Sequence, residues 1–229
     1  MPHAELSRPP AGDGADWRDV DVATQWASGD RLEGLLALPR RMTADLLSHA
    51  GEPVRTVLDV GSGPGAFLDA VLGRLPAAKG IWSDVSDAMR GIAQERLSRY
   101  GGRVEFRVLD VADLALVGPP GSLDAVVTSR LSHHLAPGEL ATFYADAVAL
   151  LGPFGWIANL DHVRLEDPWA TRLAEARADL VPPNPSPHRH DRPHPTLEDH
   201  LEALDRLGGL DVAVPWRAYS TVLVVARRR

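Results

Sequence analysis

Three aspartates, a glycine-rich pentapeptide and a few histidines carry the chemistry open to this sequence. Asp59 comes just before Gly61-Ser62-Gly63-Pro64-Gly65, and Asp84 and Asp110 close the next two apolar runs. Glycines let a backbone approach a ligand closely, and a helix starting after them offers N–H groups that lack intrahelical partners. A carboxylate at the end of the second run can accept both hydroxyls of a ribose. One at the end of the third can accept an adenine amino group. Taken singly, each aspartate is equally a helix cap or a turn residue. Three at successive strand ends point to an adenosine-type ligand. The loop alone does not choose the cofactor: Gly61-x-Gly63-x-x-Ala66 also satisfies the relaxed dinucleotide fingerprint, with Asp84 near the spacing of its ribose-binding acid.

The histidines supply proton chemistry, because an imidazole titrates near working pH. His133 and His134 follow the fourth apolar run, and His162 follows the fifth. Either member of the His133-His134 pair can face a substrate, the alternative being a histidine that hydrogen-bonds its own turn. His162, beside Asp161, could be a base oriented by a carboxylate or simply part of a polar strand end. Side chains of adjacent strand residues diverge, so no dyad is inferred from that pair. His188, His190, His194 and His200, with Asp191, invite a metal reading. Four prolines between 185 and 195 and the lack of a helical i, i+4 histidine pair favour a polar loop over the substrate pocket, with no metal.

These residues need a scaffold that brings strand ends together, and the pattern of the chain supplies one. Thr56–Val60 is a short, nearly continuous apolar run, as in a strand covered on both faces. Helical spacing follows in Phe67, Leu68, Val71, Leu72 and Leu75, then a strand over Gly80–Asp84. A helix over Ala88–Ser98, a strand over Val104–Leu109 and a strand over Leu123–Thr128 continue the alternation. A helix opening at Pro137 follows, ended by Gly152-Pro153, and then a strand over Trp156–Leu160. Such alternation predicts an α/β fold with a doubly wound, mostly parallel sheet.

Upstream, Trp17 to Ala50 reads as helices broken near Pro39, after a proline-rich start that looks poorly ordered. Downstream, Asp167-Pro168 opens a helix carrying Trp169, Leu173, Ala176 and Leu180. Thr196 and Asp199 resemble a capping box for a helix with Leu197, Leu201, Leu204 and Leu207. Val212–Val214 and Thr221–Ala226 read as a closing antiparallel pair.

Bulk properties exclude several classes. The 229 residues contain no cysteine, so disulfides and thiolate chemistry are absent, which fits a cytoplasmic protein. No stretch approaches the roughly 18 apolar residues of a membrane span, and the start lacks the apolar core of a signal peptide. The net charge of −7 disfavours a nucleic-acid partner, and Arg227-Arg228-Arg229 reads as a solvated tail.

Six segments in order resemble class I S-adenosylmethionine-dependent methyltransferases of the small-molecule type. VLDVGSGPGAFLDAV is similar to their first motif, and GIWSDVSDAMRGIAQERL to their second strand and helix. RVLDVADL and LDAVVTSRLSHHL resemble the third and fourth motifs. LLGPFGWIANLDH resembles the fifth, with Phe154 inside the usual proline-glycine-glycine turn, and TLEDHLEALDRLGGLDVAV the last helix and antiparallel strands. The resemblance implies a Rossmann-like, seven-stranded sheet with an antiparallel last strand and a helical cap. It divides the chain into a tail and cap over 1–50 and a methyltransferase domain over 51–229, with a cap insertion at about 163–195.

The resemblance also implies S-adenosylmethionine as cofactor, held by Asp59, Gly61, Ser62, Gly63, Gly65, Asp84, Val85, Asp110, Val111, Ser129 and Arg130. It places His133, His134 or His162 as base for methyl transfer to an oxygen, nitrogen or carbon of a small acceptor. Ser129-Arg130 stands where the metal-dependent branch carries an aspartate, so a divalent metal is not expected. Trp17 and Trp26 are expected to line an apolar pocket over the methyl group, in a monomer or homodimer. An NAD-dependent oxidoreductase, a non-methylating S-adenosylmethionine-binding protein of this fold and a macromolecular methyltransferase remain alternatives.

Overall fold

The run Thr56–Val60 (β1) lies in the middle of a sheet, and four of its five residues are buried. Successive side chains of a strand point to opposite faces. Val57 accordingly joins one core cluster, and Leu58 and Val60 join the other. This arrangement comes from a computed structural model, which describes residues 17–28, 33–165, 170–180 and 193–229.

β1 pairs in parallel with β2 (Lys79–Asp84) on one side and β4 (Leu123–Ser129) on the other. β3 (Val104–Val108) extends the sheet beyond β2, and β5 (Leu151–His162) extends it beyond β4. β7 (Thr221–Arg228) runs antiparallel between β5 and β6 (Leu210–Ala218). The seven-stranded order is therefore β3-β2-β1-β4-β5-β7-β6. Strand order reverses between β1 and β4, and ligands of open α/β sheets bind outside the carboxyl ends at such a switch point.

In chain order the helices are α1 (Val20–Ser28), α2 (Glu33–Ser48), α3 (Ala66–Arg74), α4 (Asp87–Leu97), α5 (Pro137–Leu150), α6 (Ala170–Leu180) and α7 (Leu197–Asp205). Residues of α2, α3 and α4 share one core cluster, and those of α5 and α7 share the other, so both sheet faces are covered. α5 starts as expected: Pro137 needs no N–H in the first turn, and the Glu139 carboxylate accepts the Ala136 N–H at 2.8 Å. Thr196 and Asp199 form the anticipated reciprocal cap of α7.

Two expectations are corrected. α2 does not break at Pro39 but runs through it. A mid-helix proline removes one hydrogen bond at a cost of about 3 kcal/mol. Here the burial of Leu36, Ala44 and Leu47 against the core opposes that loss, and Thr43 Oγ1 donates to the Pro39 carbonyl at 3.0 Å. β5 is also longer than its apolar run. Leu151 already pairs with Leu123, the register then shifts, and Trp156 pairs with Ala125. Phe154 takes φ 61° within that irregularity. No helix of the described residues is long and apolar enough to cross a membrane. Trp169, His188, His190 and Asp191, with much of the expected cap insertion, lie outside the described residues.

Candidate active site

The glycine loop leaves β1 and is held by its neighbours on both sides. Gly61 and Gly65 have φ 60° and 81°, a backbone region that side chains disfavour. A Cβ on Gly61 would lie 3.0 Å from the Leu131 side chain, and one on Gly65 would lie 3.0 Å from Leu97. Two β2 residues fix the loop from beneath. Ser62 N donates to the Ser83 carbonyl at 2.9 Å, and the indole N–H of buried Trp82 donates to the Gly63 carbonyl at 2.9 Å.

The three aspartates have different surroundings. Asp59 is 1% exposed, and its Oδ2 accepts from Ser62 Oγ (2.6 Å) and Leu68 N (3.1 Å). Its Oδ1 is buried and has no hydrogen-bond partner among the described residues. Burial pushes the Asp59 carboxyl up to about 7, against the opposing pull of those hydrogen bonds and of the buried Arg40 guanidinium. Asp84 accepts from Gly63 N (2.8 Å) and Ser86 N (2.9 Å), and burial raises it too. Asp110 caps the short helix 111–117 through Ala112 N (3.1 Å) and meets Arg18 of the N-terminal segment at 3.1 Å. Val85 and Val111, one residue beyond Asp84 and Asp110, are half-buried.

At the ends of β4 and β5 the polar groups are side chains rather than backbone. His133 Nδ1 lies 2.6 Å from Asp161 Oδ1. The same carboxylate accepts from Ser132 Oγ (2.7 Å), His133 N (3.1 Å) and His162 N (2.7 Å). Burial works against the Asp161 charge, but neighbouring His133 and His162 and these donors outweigh it and hold Asp161 well below the usual carboxylate range. Burial pushes His133 well down, beyond what Asp161 restores. The stable arrangement is an Asp161 anion accepting Nδ1–H from a neutral imidazole, which leaves Nε2 as the basic nitrogen.

Other rings gather around His133. His134, His194 and His162 have centroids 3.9, 5.2 and 5.5 Å from its own. Trp17 packs edge-on against His134 at 5.7 Å and against Trp26 at 5.8 Å. Trp26 in turn lies 3.8 Å from the Cβ position of Gly63, and the Arg130 guanidinium stands 4.2 Å over its ring. Arg130 has φ 62°, an uncommon conformation for a residue with a side chain. The two tryptophans thus bridge the glycine loop and the histidine cluster.

The comparisons with known proteins follow this geometry. A family model described as a methyltransferase domain matches residues 57–155. The match runs from β1 into β5 and takes in the glycine loop and the His133-His134 turn. The chain is 26% identical to an O-methyltransferase family protein from Burkholderia thailandensis, with a TM-score of 0.66, covering 89% of this chain and 59% of that one. It is 34% identical over 154 residues to trans-aconitate 2-methyltransferase from Methylobacterium nodulans, covering 60% of this chain and 55% of that protein. It is 38% identical over 92 residues to release factor glutamine methyltransferase from Cereibacter sphaeroides, covering 36% of this chain and 33% of that protein. The chain therefore spans between a third and just over half of those curated relatives.

Within residues 57–155, Asp59, Gly61, Ser62, Gly63, Gly65 and Asp84 come together as one cradle. Ser129 ends β4 with a buried hydroxyl that has no partner among the described residues. Two readings of the histidines change. Asp161 orients His133 rather than its neighbour His162, because adjacent strand residues point apart; His162 Nδ1 instead meets Thr221 Oγ1 at 3.1 Å. His200 does not join His194 but is buried against Tyr144, at 2.8 Å from its hydroxyl. Among the described residues no group of three or more histidines and acids is arranged to hold a metal. Sequence reasoning missed the Ser132–Asp161–His133 arrangement, whose members are 28 and 29 residues apart. It also missed Arg40, an arginine on the apolar face of α2.

Proposed function

We propose that the protein transfers a methyl group from S-adenosylmethionine to a hydroxyl of a small organic acceptor, with His133 as general base. The observation that carries this reading is the 2.6 Å His133–Asp161 contact, at the switch point beside the glycine loop. A bound acceptor hydroxyl must lose its proton as it attacks, and a neutral imidazole aimed by a buried carboxylate takes that proton at Nε2. Asp161 then stabilises the imidazolium that results.

The residues present fit the cofactor. When bound, S-adenosylmethionine supplies a methyl group made electrophilic by the sulfonium to which it is attached. The glycine loop leaves room for backbone approach, and Asp84 is placed to take ribose hydroxyls. The Asp59 Oδ1 and Ser129 Oγ atoms, buried without partners among the described residues, suit polar groups of a ligand. An ammonium near Asp59 would favour its ionised form. Asp110 would meet the adenine with Val85 and Val111 beside it, and Arg130, over the Trp26 ring, would steady that wall. Trp17, Trp26 and His134 wall the acceptor side and exclude water, so that positioning supplies much of the rate.

Oxygen is favoured over nitrogen because a neutral amine attacks without prior deprotonation, which would leave the buried dyad without a task. The rings of Trp17, Trp26, His133 and His134 would enclose a small acceptor. Calorimetry of the purified protein with S-adenosylhomocysteine and with NAD tests the cofactor. Tight binding of the first alone is expected, and binding of NAD alone would defeat the proposal. Release of S-adenosylhomocysteine over a panel of hydroxylated and carboxylated small molecules then tests the acceptor. Turnover that His133→Ala leaves unchanged would remove His133 from the base role.

A further inference from the structure

The dyad is the visible end of a longer run of buried polar groups. Asn159 on β5 donates to Ser132 Oγ at 3.0 Å and to the Tyr144 hydroxyl at 2.9 Å. Each hydroxyl, having accepted from Asn159, turns its own hydrogen outward. Ser132 Oγ lies nearer Asp161 Oδ2 (2.7 Å) than Asn159 Oδ1 (3.3 Å), so its hydrogen goes to the carboxylate. The Tyr144 hydroxyl directs its hydrogen to His200 Nδ1, 2.8 Å away on α7. Ser132, Tyr144, Asn159 and His200 are all at most 1% exposed.

Buried polar groups cost free energy unless satisfied, and an apolar core of the same shape would be at least as stable. Four of them in sequence between α7 and the dyad ask for a purpose beyond packing. We propose that Asn159, Ser132 and Tyr144, anchored by His200, are positioning residues that hold Asp161 in place and share its charge, and so set how strongly that carboxylate bears on His133. Asn159 is the hub. Its amide group gives both hydrogens away, which forces the Ser132 hydroxyl to donate to Asp161 and forces Tyr144 to donate to His200. Asp161, already filled on Oδ2, then turns Oδ1 to His133. The inference rests on His133 being the base.

The consequences are directional. Losing the Ser132 hydroxyl leaves the Asp161 charge bearing more fully on His133, which favours the imidazolium and moves protonation of His133 to higher pH. Losing the Tyr144 hydroxyl frees Asn159 to rotate and weakens the same hydrogen bond by a smaller amount. Among the described residues, Asp161 and His162 on β5, His134 beside it and His194 before α7 face His133, and none is altered by these changes.

The test is long-range 1H–15N spectroscopy of the full chain with labelled histidine, titrated between pH 5 and 9. Signals are assigned with His133→Gln, and stability is followed by thermal melting. The wild-type protein should show His133 in the Nδ1–H form. Ser132→Ala should raise its proton affinity about threefold or more, Tyr144→Phe by less in the same direction, and Ser132→Thr should restore the wild-type behaviour. If both variants melt earlier but leave the tautomer and titration of His133 untouched, the chain is only core filling and the inference is overturned. If the wild-type His133 is in the Nε2–H form, the base assignment itself fails, whatever the variants do.

Discussion

Asp59 and Asp161 are equally buried aspartates at the ends of two strands of one sheet, yet they are driven in opposite directions. Asp59 accepts two donors, both on one oxygen, and burial pushes it up to about 7. Asp161 accepts four donors spread over both oxygens, beside two imidazoles, and stays ionised well below the usual range. Burial alone therefore does not decide the charge of a carboxylate; neighbouring charges and the number and placement of its donors do. The Asp59 side is unsatisfied as it stands and suits an arriving cationic ligand. The Asp161 side is complete and suits a fixed mechanical task, the aiming of His133.

The most severe way to break this contrast is at the dyad. His133→Ala should lower turnover by about 10²–10⁴-fold while leaving S-adenosylhomocysteine affinity within about twofold, as compared by initial rates and calorimetry. A variant that loses affinity instead would place His133 on the cofactor side. Asp161→Asn should cost about 10²-fold in turnover, because the amide can donate to Nδ1 and favour the wrong tautomer. Asp84→Ala should act on the other side. The N–H groups of Gly63 and Ser86 lose their acceptor, so cofactor affinity should fall about tenfold or more with turnover at saturation much less affected.

The two aspartates should also part in their pH dependence. A raised carboxyl contributes stability that is present below its unfolded value of 3.8 and is lost as pH rises to about 7. Asp59→Asn should accordingly melt higher than wild type at pH 8, by roughly 2–4 °C for each kcal/mol relieved, and the gain should vanish near pH 4. A lowered carboxyl contributes stability that is present above its unfolded value and is lost in acid, so Asp161→Asn should melt lower at pH 8. Affinity for S-adenosylhomocysteine should rise between pH 6 and 8 in the wild type and stay flat in Asp59→Asn. The smallest effect is expected at the cap: Arg18→Ala removes an exposed ion pair to Asp110 and should change affinity by at most about threefold.

The same contrast explains what the sequence disclosed. The side proposed for the cofactor is built on successive strand ends, so Asp59, the glycines and Asp84 stand out as candidates from spacing and apolar runs. The doubly wound, mostly parallel sheet followed from alternation, and the α7 cap from Thr196 and Asp199. The acceptor side is built from residues far apart, and its logic lies in contacts that no local pattern encodes. That the side chains of Asp161 and His162 diverge follows from strand geometry, but that Asp161 meets His133, 28 residues away, does not. Asn159 lies inside the apolar run Trp156–Leu160, where nothing local marks it as the centre of a buried hydrogen-bond network. Pro39 was read as a break because local propensity ignores the packing that carries α2 through it.

β7 enters the sheet between β5 and β6, so it supports the two sides unequally. β1, β2 and β4 pair among residues 56–129 alone, whereas β5 needs residues 221–228 to cover its outer edge, and His162 meets Thr221 there. Residues 221–228 therefore brace the side proposed to use the cofactor and leave the side proposed to hold it to its own strands.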